Sequence, residues 1–315
     1  MTHYIEQNGV IFMAVKIKRG MRKHSLHNVF DDFIEYCKEK GLAQASIQTY
    51  SEQAILFNKY AGNIDVEDLT EEFVYDFRYW LKENRHFNEV STNTVYRTIN
   101  IYLTFMHEEY GIELFHLDYL KTVKKIKNIF SDEDIKKLTR KPNINDCNYS
   151  ELRDYICILI SLNTGARASS VINIKRDDIN IKEKTITFRH SKNGKQFVMP
   201  VPKYVMDNIK WYLDVVEFPN EYLFLNSLNQ QLTSKQLSVS FRRYCLNRKV
   251  KITSYHAMRH WYATRLMKET GNIFLVSKAL QHQNISTTER YLSTLGINSY
   301  AKQLEDIDLT RGLKG

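Results

Sequence analysis

The chain has 315 residues, 43% of them apolar and 26% charged, with a formal charge of +9 and only 11 glycines and 4 prolines. That length usually means two domains, since single cores rarely grow past about 250 residues, and the apolar fraction excludes a disordered chain. Scarce Gly and Pro favour long helices over a turn-rich all-β sandwich.

No run approaches the roughly 18 apolar residues of a membrane span. The short apolar run at 10–15 has its basic residues after it, the wrong order for a signal peptide. Cys37, Cys147, Cys157 and Cys245 are far apart with no C-x-x-C pair. That argues against a disulfide framework and a cysteine-based zinc site, and for a reducing compartment. The positive excess points to a polyanionic partner without identifying it.

In chain order, residues 1–24 carry the basic run KIKRGMRKH and no clear apolar period, so they are expected to form a flexible basic arm. From Ser25 the apolar residues Leu26, Val29, Phe30, Phe33, Ile34 and Cys37 recur on one helical face behind a serine cap. A second helix is predicted after Ser46, with Ile47, Tyr50, Ala54 and Phe57 inward, ending at Gly62. A third follows Thr70, burying Phe73, Val74, Phe77, Trp80 and Leu81, and a fourth spans about 92–109 with Val95, Ile99, Tyr102, Leu103 and Met106. Four such helices make a compact helical domain. The lysine-rich stretch 120–128 reads as a basic linker. Ser131 then reads as a cap, with Asp132, Glu133 and Asp134 in the first turn, where the helix dipole favours acids.

A helix at about 150–163 stops at Gly165. Residues 184–201 alternate as a strand pair around Asn193-Gly194, a favoured two-residue hairpin turn. Helices return at about 203–216, 234–247, 256–270, 272–280 and 286–293.

Five places in this second half could carry chemistry. Arg167 follows TGA at a helix end, Lys192 sits at the hairpin turn, and His256 and Arg259 share one helix face at i and i+3. His282 stands in LQHQNISTTERY, and Tyr291 follows nine residues later. Singly, each has an ordinary explanation: a helix-end arginine on free carbonyls, a solvated lysine, a capping histidine, a half-buried tyrosine.

As an ordered set, TGAR (164–167), Lys192, HAMRHWYATRL (256–266) and LQHQNISTTERYL (280–292) resemble the tyrosine recombinase (phage integrase) family. The resemblance spans about 130–305, and the segment 25–110 is similar to the family's N-terminal core-binding domain. It implies a mainly α fold with a small β-hairpin or sheet: a helical, SAM-like core-binding domain followed by an α-rich catalytic domain. The implied layout is a basic arm (1–24), a core-binding domain (25–118), a basic linker (119–130), a catalytic domain (131–296) and a tail helix (297–315).

The resemblance also implies roles. Tyr291 would be the nucleophile. Arg167 and Arg259 would clamp the scissile phosphate, Lys192 would protonate the leaving 5′-oxygen, and His256 and His282 would assist proton transfer and hydrogen-bond the phosphate. The chemistry is coherent. Attack on a phosphodiester develops charge on its non-bridging oxygens, and guanidinium groups match them bidentately at any working pH. With two arginines neutralising that charge no metal is needed, and a phosphotyrosine conserves the bond energy, so no nucleotide cofactor is expected. One departure is Ser170, where the family often has an acidic residue; another is Ala166, where a larger apolar residue is common.

DNA contacts are expected from the arm (Lys16, Lys18, Arg19, Arg22, Lys23), the linker (Lys121, Lys124, Lys125, Lys127) and a late cluster with Arg242 and Arg243. Candidate base readers are Asn93, Tyr96 and Arg97 on the fourth helix, and Lys235, Gln236 and Arg242 on the helix near 234–243. The resemblance implies a C-shaped clamp on double-stranded DNA at a specific site. The tail has Ile297, Tyr300, Ala301, Leu304 and Ile307 at helical spacing, a stripe that must be buried somewhere. It could pack on its own domain; docking into a neighbouring protomer, giving a tetramer on two DNA sites, is what the family resemblance implies. The expected protein is a cytoplasmic, nucleoid-associated site-specific recombinase of a mobile element, working with or without accessory DNA-bending proteins. Two other readings stay open at this point: a catalytically inactive DNA-binding relative, and a type IB topoisomerase-like enzyme.

Overall fold

The computed structural model describes residues 4–7, 10–13, 23–122, 129–189, 196–282 and 284–288. The chain divides into two compact units, 1–124 and 125–315.

The first unit opens with a pair of short strands, β1 (Tyr4–Gln7) and β2 (Val10–Met13), antiparallel with Gln7 opposite Val10. This corrects the expectation of a structureless arm over that stretch. Asn8-Gly9 falls between the strands in the sequence, the same dipeptide that favours tight hairpins.

Four helices follow. α1 (Leu26–Glu39) is capped by Ser25, whose side chain accepts from the Asn28 N–H. α2 (Gln44–Ala61) starts three residues before the predicted position, because Ala43 ends the preceding extended backbone without any side-chain cap. α3 (Glu71–Arg85) is capped by Thr70. α4 (Glu89–Tyr110) is capped by Asn88, a full turn before the apolar period begins. The predicted inward faces meet in one core of Leu26, Val29, Phe33, Phe57, Phe77, Leu81, Ile99, Tyr102 and Leu103.

α4 buries more than a stripe: Thr92, Tyr96, Thr98 and Asn100 are buried as well. For Asn100 the cause lies in the segment after the helix. Asn100 donates to the Leu117 carbonyl at 3.0 Å and accepts the Leu117 N–H at 2.9 Å. Asn93, two turns earlier, does the same with both backbone groups of Leu120 at 2.8 Å. Two carboxamides thus lay residues 117–120 against α4 as a sheet edge would.

In the second unit, α5 (Asp132–Leu138) begins with a reciprocal box between Ser131 and Asp134. α6 (Tyr149–Thr164) is the central helix, buried almost all round and packed by α10, α8, α9 and α7. Within it, Arg153 and Asp154 form an ion pair at 2.7 Å, both side chains at most 4% exposed. Arg153 also donates to the Leu225 carbonyl and to Ser240 Oγ, and Ser240 donates to Asp154. Satisfying both charges is the condition for burying them.

A short helix, α7 (Ala168–Ile172), leads into a three-stranded antiparallel sheet of β3 (Ile179–Asn180), β4 (Thr185–Phe188) and β5 (Phe197–Pro200). The register pairs Phe188 with Phe197 and leaves 189–196 between the strands. A two-residue turn at Asn193-Gly194 would have paired Phe188 with Met199, so the expected register is corrected. The Phe188 and Phe197 rings stack at 4.8 Å, a cross-strand aromatic pair that fixes the pairing.

Four more helices lie among the described residues: α8 (Lys203–Val215), α9 (Ser234–Asn247), α10 (His256–Thr270) and α11 (Ile273–Ala279). A further helical turn covers 286–288; the rest of the helix expected to 293, and the tail at 297–315, lie outside the described residues. Among the described residues, no helix is long and apolar enough to cross a membrane.

Candidate active site

The site begins where α6 stops. Gly165 takes a left-handed conformation with φ 62° and ends the helix. Any side chain there is strained and must displace its neighbours: a Cβ would stand 2.4 Å from Tyr262 Cδ1 and 2.9 Å from Leu280 Cδ2. The chain then turns outward, and Arg167 sits half-buried in extended conformation immediately before α7.

α10 meets this turn from the other side. His256 occupies its first position and is exposed; Arg259, one turn later, is 4% exposed. Arg167, His256 and Arg259 line one cavity of about 230 Å³, with Ala166, Ser238 and Ser254 between them. Two arginines therefore line the same small space, a composition suited to a tetrahedral oxyanion.

Arg259 is held in place by backbone. Its Nη1 donates to the Gly165 carbonyl and its Nη2 to the Leu280 carbonyl, both at 2.6 Å. Nη2 also donates to His282 Nε2 at 3.0 Å. The other ring nitrogen of His282 is 2.8 Å from Thr288 Oγ1. The helix-end turn, α10, the end of α11 and the His282 loop thus converge on one guanidinium. A cation fixed this firmly needs no reorganisation when charge develops beside it.

His256 packs edge-on against His260, with centroids 4.9 Å apart. Two tyrosines stand close by, and neither is suited to attack. The Tyr255 hydroxyl is buried 2.6 Å from Ser161 Oγ, and burial pushes its pKa well above the usual phenol value. Burial also raises the Tyr262 phenol, with Arg259 pulling the other way.

Four of the six expected catalytic residues are thereby brought together: Arg167, His256 and Arg259 around the cavity, and His282 on Arg259. Lys192 and Tyr291 lie outside the described residues. Profiles of two families match the sequence, the Phage integrase family over residues 128–295 and the Phage integrase SAM-like domain over 25–126.

The chain belongs to the phage integrase family.

The family's relatives cover nearly all of it. Tyrosine recombinase XerA of Thermococcus kodakarensis is 26% identical over 292 residues, 92% of this chain and 98% of the relative. Tyrosine recombinase XerC of Staphylococcus aureus is 26% identical over 285 residues, 84% and 92% of the two chains. Among solved structures, a lambda integrase dimer bound to a COC′ core site matches with a TM-score of 0.70 at 15% identity, covering 87% of this chain and 97% of that one. The Tn1549 transposon integrase in complex with a circular intermediate DNA gives 0.70 at 16% identity, covering 90% and 99%. The phage integrase fold, a helical N-terminal domain followed by an α-rich catalytic domain, is what these likenesses share with the structure.

The expected DNA-contacting residues fare unevenly. Tyr96 is corrected: it is 1% exposed within the core of the first unit and presents nothing to solvent. Asn93 is half-buried, with both ends of its carboxamide bonded to Leu120 backbone. Gln236 spends its carbonyl oxygen capping α9 through Thr233. Lys23 is exposed but ion-paired to Asp68 at 2.7 Å. Arg97, Lys121, Lys235, Arg242 and Arg243 are exposed. Lys16, Lys18, Arg19, Arg22, Lys124, Lys125 and Lys127 lie outside the described residues.

Several site residues escaped the sequence reading, namely the Gly165 and Leu280 carbonyls and Thr288, and so did the buried Arg153–Asp154–Ser240 group that joins α6 to α9. Backbone carbonyls leave no side-chain signal. An Arg-Asp pair inside an apolar helix run was the one available clue to the buried group.

Proposed function

We propose that the protein is a site-specific DNA recombinase that breaks and rejoins strands through a covalent 3′-phosphotyrosine at Tyr291. The observation that carries this is the single cavity shared by Arg167, His256 and Arg259, with His282 hydrogen-bonded to Arg259. In the first step the Tyr291 hydroxyl gives up its proton, with His256 and His282 assisting the transfer, its oxygen attacks the scissile phosphorus, and the bond to the 5′-oxygen breaks. The two arginines take up the charge on the non-bridging oxygens, and Lys192 delivers a proton to the leaving 5′-oxygen. In the second, a 5′-hydroxyl from the partner duplex attacks the phosphotyrosine and releases Tyr291. Phosphodiester count is conserved, and two rounds pass through a Holliday junction. The charge on the phosphate is met by protein cations alone, without metal or nucleotide.

The layout follows the same reading: arm 1–24, core-binding domain 25–118, linker 119–130, catalytic domain 131–296, tail 297–315. Exposed Arg97, Lys121, Lys235, Arg242 and Arg243 serve duplex DNA, with the arm and linker lysines adding phosphate contacts. A lambda integrase tetramer has been solved on a Holliday junction. By analogy the tail at 297–315 docks into a neighbouring protomer to give a tetramer on two sites. A cytoplasmic, nucleoid-associated location and integration or excision of a mobile element complete the proposal.

The test is a nicked duplex that traps the cleaved state, built on the sequence the protein selects from random duplexes. Wild type should form a covalent adduct and Tyr291→Phe none. Binding without an adduct would favour a DNA-binding relative without catalysis. Sequence-independent relaxation of supercoiled plasmid would favour the topoisomerase-like alternative.

A further inference from the structure

His282 sits between two partners of unequal character. A guanidinium carries only donors. Arg259 Nη2 lies 3.0 Å from His282 Nε2, so Nε2 must present its lone pair. The ring proton is then on Nδ1, which is 2.8 Å from Thr288 Oγ1. The opposite tautomer, or a doubly protonated ring, would aim an N–H at the guanidinium.

The partners are themselves held. Thr288 is 1% exposed, and its backbone N–H bonds the Ile285 carbonyl at 2.7 Å. The His282 N–H bonds the Ser277 carbonyl at 3.0 Å. A hydroxyl buried this completely is useful where its hydrogen bond does something; packing alone would be served as well by valine.

We propose that Thr288 is a positioning residue for strand cleavage. Its hydroxyl fixes His282 as the Nδ1–H tautomer, and His282 Nε2 in turn orients the Arg259 guanidinium toward the cavity it shares with Arg167 and His256. Thr288 also precedes Tyr291 by three residues in the sequence, so the same hydrogen bond ties the start of the nucleophile's segment to the phosphate clamp. The link to cleavage rests on the recombinase reading of the site; the tautomer does not.

Two measurements test it on the full chain. With the trapping duplex described above, Thr288→Val should slow adduct formation about 10–100-fold at saturating DNA, the usual effect of removing an outer partner of a site histidine, with duplex affinity changed less than about twofold. Thr288→Ser, which keeps the hydroxyl, should recover to within about threefold of wild type. Wild-type cleavage by Thr288→Val, or a serine variant as slow as the valine one, overturns the positioning role. The second measurement is independent of activity and of whether the Thr288 variants fold. Long-range ¹H–¹⁵N correlation on histidine-labelled wild type, with the His282 signals assigned by their loss in His282→Gln, should show Nδ1 protonated and Nε2 bare. A proton on Nε2 overturns the proposal. If wild type forms no adduct on DNA that it binds, the recombinase reading fails while the nitrogen shifts still decide the tautomer.

Discussion

Replacing Gly165 by alanine perturbs both stability and the phosphate clamp. The left-handed φ of 62° costs an alanine about 1–2 kcal/mol. The new Cβ, at 2.4 Å from Tyr262 Cδ1 and 2.9 Å from Leu280 Cδ2, must push a packed ring and a buried leucine aside. Overpacking of that kind costs about 1–3 kcal/mol. Together the loss is about 2–5 kcal/mol, a fall of about 4–20 °C in Tm for a unit of this size. Gly111 is the control: its φ is 73° but a Cβ there meets nothing within 4 Å. Gly111→Ala should therefore lose only the conformational part, about 1–2 kcal/mol. Urea unfolding followed by circular dichroism measures both. Because the Gly165 carbonyl holds Arg259 at 2.6 Å, Gly165→Ala should also cut strand cleavage at temperatures where it stays folded. The reasoning is refuted if Gly165→Ala is no more destabilised than Gly111→Ala, or if it cleaves at the wild-type rate.

Other outcomes follow from the same structure. Arg167→Ala should lower adduct formation about 10²–10³-fold, as loss of one oxyanion donor does, while gel-shift affinity for the selected duplex stays near wild type. Asp154→Ala leaves Arg153 charged and buried, so thermal melting should show a loss of about 3–5 kcal/mol in the catalytic unit. Burial raises Glu67, but the backbone N–H and ring of His24 outweigh it and hold its pKa below 4.5. A carboxylate depressed on folding stabilises above its unfolded pKa and loses that contribution as pH falls through the folded one. Wild type should thus lose stability faster than Glu67→Gln below pH 4.5, in melts taken across that range. Arg242→Ala with Arg243→Ala should flatten the slope of log affinity against log salt by about 1.8, the loss of two phosphate contacts, measured by fluorescence anisotropy.

Helix starts were readable because a cap is local: Ser25, Thr70 and Ser131 each satisfy an N–H three residues on. The inner faces of α1 and α3 were readable because each helix has one wet side. On α4 the apolar stripe was readable too, but not that Asn93 and Asn100 on its polar side are taken up by the backbone of 117–120, or that Tyr96 is buried. The strand register at β4–β5 is set by a Phe188–Phe197 stack across the sheet rather than by the dipeptide between the strands. At the site, the side-chain types and their order were visible in the sequence. What was not visible is that Arg259 is gripped by two carbonyls from distant turns and by His282, since those bonds exist only once α6, α10 and α11 have packed.

The central claim is that Tyr291 bears the DNA strand. Full-length protein trapped on the nicked, selected duplex can be digested with nuclease and protease and the modified peptide sequenced by mass spectrometry. Tyr291 should carry a 3′-linked nucleotide, and the modification should vanish in Tyr291→Phe. A nucleotide on any other residue, or no modified peptide from a duplex the protein binds, would contradict it.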